Sequence, residues 1–277
     1  MNNSLKTPHW SRISIFILVC IALVWNCGDK GTNPSPPQIT TPLAAVTKVV
    51  LESSMPLTIT AGGSTLSYQW YYNETAIAGA AAARYSKTWA PADSGTYKVV
   101  VSNALGKDSS STQLKVISLQ DFFITSQITG WVPDSSSHFV QYPADSLFHY
   151  IDGPAQVYRD SGLVSWFHEK MNGGPTATPV NGDYTFIGYV HNYGTAAKAK
   201  ALYDAKVAVN IFTKVALGQY SDNEAQASAV GGGIQVYATF GTIYFEFNVT
   251  GFTVSQISTI AVPEALKFLD KYKATIN

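Results

Sequence analysis

Two tyrosines and an aspartate lie close together near the middle of the chain, at a spacing that could build a polar cleft. Tyr150 and Asp152 come at the end of one predicted short helix, and Tyr158 lies in the next. Free backbone N–H groups at the start of the second helix, a carboxylate and two phenols could together bind a neutral ligand such as a sugar or a peptide. In the alternative interpretation, Asp152 caps the second helix through its side chain and the tyrosines pack. Capping is favoured, and the cleft is the functional hypothesis.

Histidines in the C-terminal part of the chain are the other side chains with potential for chemistry. They are His138, His149, His168 and His191. Convergence of two or three of them with Asp152 or Glu169 would create a site for a metal ion or for proton transfer. Their spacing matches no established ligand pattern, and Asn172 stands where a zinc-binding H-E-x-x-H helix starting at His168 needs its second histidine. We expect no metal site, no cofactor and no catalytic residue, and the alternative is an extracytoplasmic hydrolase that uses the C-terminal domain.

The overall composition limits the classes of partner. The chain has 277 residues and is 46% hydrophobic, 13% aromatic and only 13% charged, a length that predicts about two domains. Basic and acidic residues balance at 18 each, so the chain lacks the positive field that nucleic-acid binding requires. The apolar content is ample for a sizeable core. We expect an ordered protein that does not bind nucleic acid.

The N-terminal segment is typical of an export signal. Lys6 and Arg12 supply positive charge, and residues 13–24 are predominantly apolar. This run is shorter than the roughly 20 residues that span a bilayer, but it has the length of the core of a secretory signal. Cys27 follows it, and a stretch rich in Gly, Pro, Ser and Thr comes next. We expect a signal peptide over residues 1–26 and a flexible tether over residues 27–43.

This arrangement resembles a bacterial lipoprotein signal, in which the cysteine is lipidated and becomes the new N-terminus. The resemblance implies lipidation of Cys27, an acyl anchor in the membrane, and an extracytoplasmic position in the bacterial cell envelope. Asn26 departs from the pattern, because the usual motif has a small residue before the cysteine. The alternatives are an uncleaved anchor and an ordinary secretory signal. Cys20, the other cysteine, also lies in this segment, so we expect no disulfide in the folded part.

Residues 44–117 have the pattern of an all-β domain, with short alternating runs separated by turn-forming clusters. The segments 68–71, YQWY, and 92–106, ADSGTYKVVVSNALG, resemble an immunoglobulin-like domain of the bacterial extracellular kind.

The resemblance assigns roles to particular residues of this domain. It implies that Trp70 fills the core between two sheets and that the hydroxyl of Tyr97 bonds back to the backbone. Ile59 and Val99 stand where the family usually has a disulfide, so apolar side chains would fill that space instead. We expect an immunoglobulin-like sandwich without a disulfide.

Residues 119–277 combine strand and helix signals. Strands are predicted at 163–171 and 184–191, a hairpin at 234–240 and 243–249 around Gly241, a helix at 195–206, and a last helix that begins near Ser255, breaks before Pro263 and resumes at Glu264. Locally paired strands with flanking helices predict an α+β domain with a mainly antiparallel sheet.

This second domain also resembles a known family. Gly130, Trp131 and the run LFHYIDGPAQVY at 147–158 are similar to a bacterial domain family of unknown function, found in exported proteins and lipoproteins, with the hallmark L-F-x-Y-I-[DN]-G-x-A-x-x-Y. The family brings no assigned activity. We expect an envelope-anchored lipoprotein that acts as a non-catalytic binding or interaction module, with the immunoglobulin-like domain as a spacer or adhesive unit. Its expected partners are the membrane, through the lipid anchor, and a carbohydrate or a protein.

Overall fold

A computed structural model describes residues 33–124, 128–134, 140–144, 146, 155–174 and 184–277. They form two regions, which follow one another along the chain and meet near residue 118. Among these residues, no helix is long and apolar enough to cross a membrane.

The first region consists of strands separated by short turns. They are β1 Gln38–Thr41, β2 Val46–Val50, β3 Leu57–Thr58, β4 Thr60–Gly62, β5 Ser67–Tyr72, β6 Thr75–Ala76, β7 Arg84–Tyr85, β8 Gly95–Asn103 and β9 Gly106–Ile117. Five form a sheet in the order β2-β9-β8-β5-β6, in which β2 is parallel to β9 and the other neighbours are antiparallel. The antiparallel pairs β1–β4 and β3–β7 form two small sheets.

The core of this region lies between the large sheet and the small ones. Trp70 on β5 is fully buried, and its indole N–H donates to the carbonyl of Ala82 at 2.8 Å. Ile59 and Val99 are buried in the same cluster, so apolar side chains fill the space of the absent disulfide. The predicted immunoglobulin-like sandwich is confirmed by this strand arrangement and core.

The hydrogen bond expected of the Tyr97 hydroxyl is made by a different residue. Tyr97 is buried, but its hydroxyl has no hydrogen bond to any part of the chain that the structure describes. The hydroxyl of Tyr72 on β5 instead lies 2.9 Å from the carbonyl oxygen of Ala92 and 3.0 Å from that of Ser94. The two tyrosines are directly opposite each other on β5 and β8, with ring centroids 5.0 Å apart.

The start of the sandwich lies within the segment predicted to be a tether. β1 falls inside residues 27–43 and pairs with β4. The backbone N–H of Ile39 also donates to Asp108 at 2.7 Å, and that of Leu43 to Ser110 at 2.9 Å. These contacts fix the chain from β1 onward against the sandwich.

The second region is one large antiparallel sheet with helices. Its strands are β10 Trp131–Pro133, β11 Tyr142–Pro143, β12 Ser165–Gly173, β13 Tyr184–Asn192, β14 Thr213–Val215, β15 Ala225–Val230, β16 Gly233–Phe240 and β17 Ile243–Thr250. Its α-helices are α1 Ala155–Asp160, α2 Ala196–Ala208 and α3 Val262–Ile276. The strand order is β10-β12-β13-β17-β16-β15-β14, and β11 also pairs with β12.

The two faces of this sheet differ in chemistry because side chains alternate along each strand. One face, which we call the apolar face, carries residues such as Phe186, Phe245 and Phe247 and packs against Phe268 and Leu269 of α3. The other, which we call the polar–aromatic face, packs against α1 and α2.

The predicted break before Pro263 is wrong. A three-residue turn of 3₁₀ helix, Val254–Gln256, leads into a π-helical turn, Ile257–Ala261, and α3 then continues through Pro263. Pro263 lies in the first turn of α3, where a backbone N–H has no intrahelical acceptor to lose. Burial of Ala261 and Val262 against the sheet overrides the local preference of the residue before proline for an extended conformation.

The two regions are in direct contact. The side-chain amide of Asn192 donates to the carbonyl of Leu51 at 2.9 Å, and the backbone N–H of Ser54 donates to the carbonyl of Gly194 at 2.9 Å. Val50 and Ile117 of the sandwich are part of the hydrophobic cluster of the second region. The β2–β3 connection is therefore fixed against the sheet.

Candidate ligand-binding face

The polar–aromatic face places four side chains in one row across four strands. The antiparallel register puts His168 opposite Tyr189, Tyr189 opposite Glu246, and Glu246 opposite Tyr237. A neighbouring row contains Trp166, His191 and Tyr244. Aromatic rings, an acid and two imidazoles therefore share one surface.

Glu246 lies at the centre of a hydrogen-bonded group, which we call the Glu246 cluster: Tyr158, Lys206, Gln235, Tyr244 and Glu246. Its carboxylate accepts from the hydroxyl of Tyr158 at 2.5 Å, from that of Tyr244 at 3.0 Å and from the amide of Gln235 at 3.3 Å. The ammonium of Lys206 lies 3.4 Å from the same carboxylate and donates to the Tyr158 hydroxyl at 2.7 Å. The side chains of Lys206 and Glu246 are 19% and 13% exposed, so the pair lies at the rim between core and solvent.

Two helices bring the cluster together. Tyr158 projects from the short helix α1, where it is almost fully buried. On α2, Ala199, Leu202 and Tyr203 are buried, and Lys206 lies one turn after Leu202 on the same side of the helix. The ammonium of Lys206 also lies 4.8 Å from the ring centre of Tyr158 and 5.6 Å from that of Tyr237. A single lysine thus joins α2 to α1 and to the sheet.

The phenols of this face are donors at neutral pH. Burial, together with the negative charge of Glu246, raises the pKa of Tyr158 and Tyr244 far above the ordinary value, and raises that of Tyr237 to about 12. Their protons therefore stay in place. Those of Tyr158 and Tyr244 are donated to Glu246, whereas the phenol of Tyr237 can donate to a hydroxyl, carbonyl or amide oxygen of a ligand.

Two buried polar side chains next to the cluster have no partner among the described residues. Both ring nitrogens of His191 and the hydroxyl of Tyr193 are buried and make no hydrogen bond there. Burial, with a smaller contribution from the charge of Lys206, lowers the pKa of His191 to about 3, so its ring is neutral. A buried polar group without a partner costs about 1–3 kcal/mol, which makes these atoms candidates to contact a bound water or ligand.

A half-buried aromatic platform continues the face toward the sheet edge. The ring of Tyr142 stacks on that of Trp166 at a centroid distance of 4.8 Å and lies parallel to that of His168 at 6.0 Å. Tyr189 follows, with its ring centre 6.1 Å from that of His168. Tyr142, His168 and Tyr189 keep part of their surface exposed. Flat aromatic surface next to hydrogen-bonding groups can bind the apolar face of a sugar or the side chains of a peptide.

The structure describes one of the three residues expected to line the cleft. Tyr158 is present, but its hydroxyl is engaged with Glu246 and Lys206. Tyr150 and Asp152 lie outside the described residues, and so does Cys27, the predicted lipidation site. The choice between cap and cleft for Asp152 thus stays a prediction.

The structure describes two of the four histidines that were considered for a metal site or for proton transfer. His168 and His191 lie on the same face of β12 and β13, with Glu169 on the opposite, apolar face. His138 and His149 lie outside the described residues. Within the described ranges, no group of three or more His, Cys, Asp or Glu side chains could hold a metal ion.

Sequence reasoning did not identify Glu246, Lys206, Gln235 or Tyr244. A signal for part of the set was present, because alternation in the segment IYFEFNVT places Tyr244 and Glu246 on the same side of β17. Nothing local connects them to Lys206 or Tyr158, which come from different helices.

Comparisons with known proteins find similarity among solved structures, over 30% to 31% of this chain in those described below. A scan against protein-family models gives no match, and a search of curated proteins also gives none. Among solved structures, titin domain M4 is 20% identical with a TM-score of 0.28, over 31% of this chain and 100% of that one. The titin Ig tandem A164–A165 is 17% identical with a TM-score of 0.28, over 30% of this chain and 50% of that one. Extracellular domains 3–5 of Drosophila OTK are 14% identical with a TM-score of 0.28, over 30% of this chain and 32% of that one. The assignment of the sandwich therefore rests on its strand order and core.

Proposed function

We propose that this chain is a lipoprotein of the bacterial cell envelope, anchored through Cys27, in which an α+β domain over residues 119–277 is a non-catalytic binding module. The immunoglobulin-like domain serves as the spacer that holds this module away from the membrane. The ligand is neutral, a sugar or a peptide, and it binds on the polar–aromatic face.

The observation that carries the proposal is the position of Glu246 in the row with Tyr189 and His168. A carboxylate surrounded by hydroxyl, amide and ammonium donors lies beside half-buried rings, which combines directional hydrogen bonds with apolar contact. The raised pKa values of the phenols argue only against their acting as bases, because a phenol that keeps its proton is a poor base.

Binding can be tested by following the thermal unfolding of the full chain in detergent in the presence of oligosaccharides and short peptides. A ligand that binds the folded state raises the unfolding midpoint, and at a hundred times its Kd it contributes about 2.7 kcal/mol. Any ligand found this way is then incubated with the protein and checked for cleavage. Cleavage would support the extracytoplasmic hydrolase instead.

The site is tested with Tyr189→Ser, which removes a half-buried ring from the platform. The matched control is Ile187→Thr, since Ile187 lies two residues earlier on β13, on the same face, with its side chain 37% exposed. We expect Tyr189→Ser to abolish the ligand-induced shift and Ile187→Thr to retain it. Equal shifts in the two variants would show that the ligand binds elsewhere.

A further inference from the structure

A cavity of about 230 Å³ lies at the junction of the sandwich and the second region. Its lining residues are Ser54, Met55, Pro56 and Arg84 from the sandwich, and Thr195, Ala196, Gly241 and Thr242 from the second region. None of them belongs to the Glu246 cluster, and none is acidic. Among the lining residues that the structure describes, Arg84 is the one with a charged side chain.

The N-terminus of α2 opens onto this cavity. Thr195 is the N-cap of this 13-residue helix, and its hydroxyl accepts from the backbone N–H of Lys198 at 3.3 Å. The N–H of Ala199 makes the first intrahelical bond, to the carbonyl of Thr195 at 3.2 Å. The N–H groups of Ala196 and Ala197 therefore precede the hydrogen-bonded part of the helix. This end of α2 carries about half a positive charge.

A buried hydroxyl without a partner lies in the same lining. Thr242 is 2% exposed, and its side-chain oxygen makes no hydrogen bond to any described residue. Its backbone carbonyl is occupied, because it accepts from the N–H of Tyr193 at 3.0 Å. A buried hydroxyl is almost always hydrogen-bonded, so Thr242 has a donor available for a group that enters the cavity.

Arg84 adds a full positive charge from the sandwich. It lies on β7, which pairs with β3, and no described carboxylate lies within ion-pair distance of its guanidinium. A guanidinium carries five N–H donors in a planar fork that matches the oxygens of a phosphate or a carboxylate. The described residues that line the cavity thus offer donors and positive charge, and none of these residues is an acid.

We propose that this junction cavity binds a small oxyanion, the phosphate or carboxylate group of a ligand. Arg84, the N-terminus of α2 and the hydroxyl of Thr242 supply the donors. Because Arg84 comes from the sandwich and the other two from the second region, the anion links the two regions. Ser54, whose N–H donates to the carbonyl of Gly194, lies in the same lining and holds the two sides together without the anion.

The experiment is a titration of the full chain in detergent, near pH 7, with inorganic phosphate and separately with acetate, at constant ionic strength set with sodium chloride. The readouts are the heat of binding and the midpoint of thermal unfolding. The variants are Arg84→Gln, which removes the charge, and Thr242→Val, which removes only the hydroxyl. Lys107→Gln is the control, because Lys107 is a cation of the sandwich outside the cavity.

We expect saturable binding of at least one of the two anions, weakened at least tenfold by both Arg84→Gln and Thr242→Val and unchanged by Lys107→Gln. Saturation by phosphate alone, by acetate alone or by both supports the site and identifies the group it prefers. Absence of saturable binding, or equal binding by all variants, overturns the proposal. Tyr189→Ser should bind the anion as the unmodified chain does, so failure of this site and failure of the ligand-binding face are distinguishable.

Discussion

Glu169 on β12 and Tyr272 on α3 are joined by a hydrogen bond inside the hydrophobic core of the second region, where the phenol donates to the carboxylate. The second oxygen of this carboxylate accepts from the backbone N–H of Ile124 at 2.9 Å. One acidic side chain thus holds both the C-terminal helix and the segment that leaves the sandwich against the sheet. Burial raises the pKa of Glu169 to about 7, although its two hydrogen bonds act in the opposite direction.

This buried acid predicts an unusual dependence of stability on pH. In the unfolded chain Glu169 loses its proton near its ordinary pKa of 4.5, whereas in the folded chain it keeps it until about pH 7. The unfolded state therefore binds fewer protons over this interval, and stability falls as the pH rises through it. Glu169→Gln keeps the shape and removes the charge. We expect the stability of the variant relative to the unmodified chain to increase by roughly 2 to 3 kcal/mol between pH 5 and pH 8. Urea unfolding at the two pH values measures it, and a constant difference between the proteins would contradict it.

The Lys206–Glu246 pair should couple strongly because both side chains are mostly buried. We expect a double-mutant cycle of Lys206→Met and Glu246→Gln to give a coupling energy of about 1–2 kcal/mol. Lys200 and Asp204 provide the matched control on the same helix, since their side chains are 38% and 58% exposed. Their coupling should stay below about 0.5 kcal/mol. Equal coupling in the two cycles would argue against a special role of the Glu246 cluster in stability.

His191 predicts a loss of stability in mild acid. Its pKa is lowered to about 3 in the folded chain and returns to 6.5 on unfolding, so the unfolded state binds more protons between these values. The contribution of neutral His191 to the free energy of unfolding is fully present above pH 6.5, and it falls as the pH decreases toward 3. His191→Phe removes the titration. Between pH 7 and pH 5, we expect the free energy of unfolding of the variant to fall by about 2 kcal/mol less than that of the unmodified chain. Denaturant unfolding at both values tests this, and parallel losses in the two proteins would exclude His191 as the cause.

The hydroxyls of Tyr72 and Tyr97 should differ in how much they contribute to stability. Tyr72→Phe removes a donor that lies within reach of two backbone carbonyls, so we expect a loss of about 1 kcal/mol. Tyr97→Phe removes a hydroxyl with no described partner and should change stability by less than about 0.5 kcal/mol. Thermal unfolding of both variants and of the unmodified chain measures this difference in stability. The reverse order would assign the corner bond to Tyr97 after all.

The proposed anchor makes a prediction of its own. In bacterial cells, Cys27→Ser should abolish incorporation of labelled fatty acid and release the protein from the membrane fraction, because the thiol that carries the acyl chains is gone. Cys20→Ser is the control and should leave both unchanged. Asn26→Gly should speed processing, since it restores a small residue before the cysteine. Labelling that survives in Cys27→Ser would place the modification elsewhere.

Local patterns in the sequence predicted much of the secondary structure. The alternation on either side of Gly241 predicted the hairpin of β16 and β17, because side-chain periodicity is a property of the segment itself. Gly241 has a φ of +58° in the turn, a conformation that glycine adopts readily. The position of Trp70 in the sandwich core was implied by the resemblance of its segment to an immunoglobulin-like domain, and the structure places it there. Pro263 shows the limit, because burial of the preceding residues outweighed its local conformational preference.

The sites were decided by the tertiary structure. Tyr158 is separated from Glu246 by 88 positions and from Lys206 by 48, and no periodicity extends over such distances. They meet because β17 lies between β13 and β16, and because α1 and α2 pack on the same face. The junction cavity likewise exists only because the β2–β3 connection packs against the start of α2. The sequence by itself determined most of the strands and helices and which of their faces are apolar, since these depend mainly on neighbouring residues. Strand order and helix docking decided which polar groups share a surface, since they depend on the whole core.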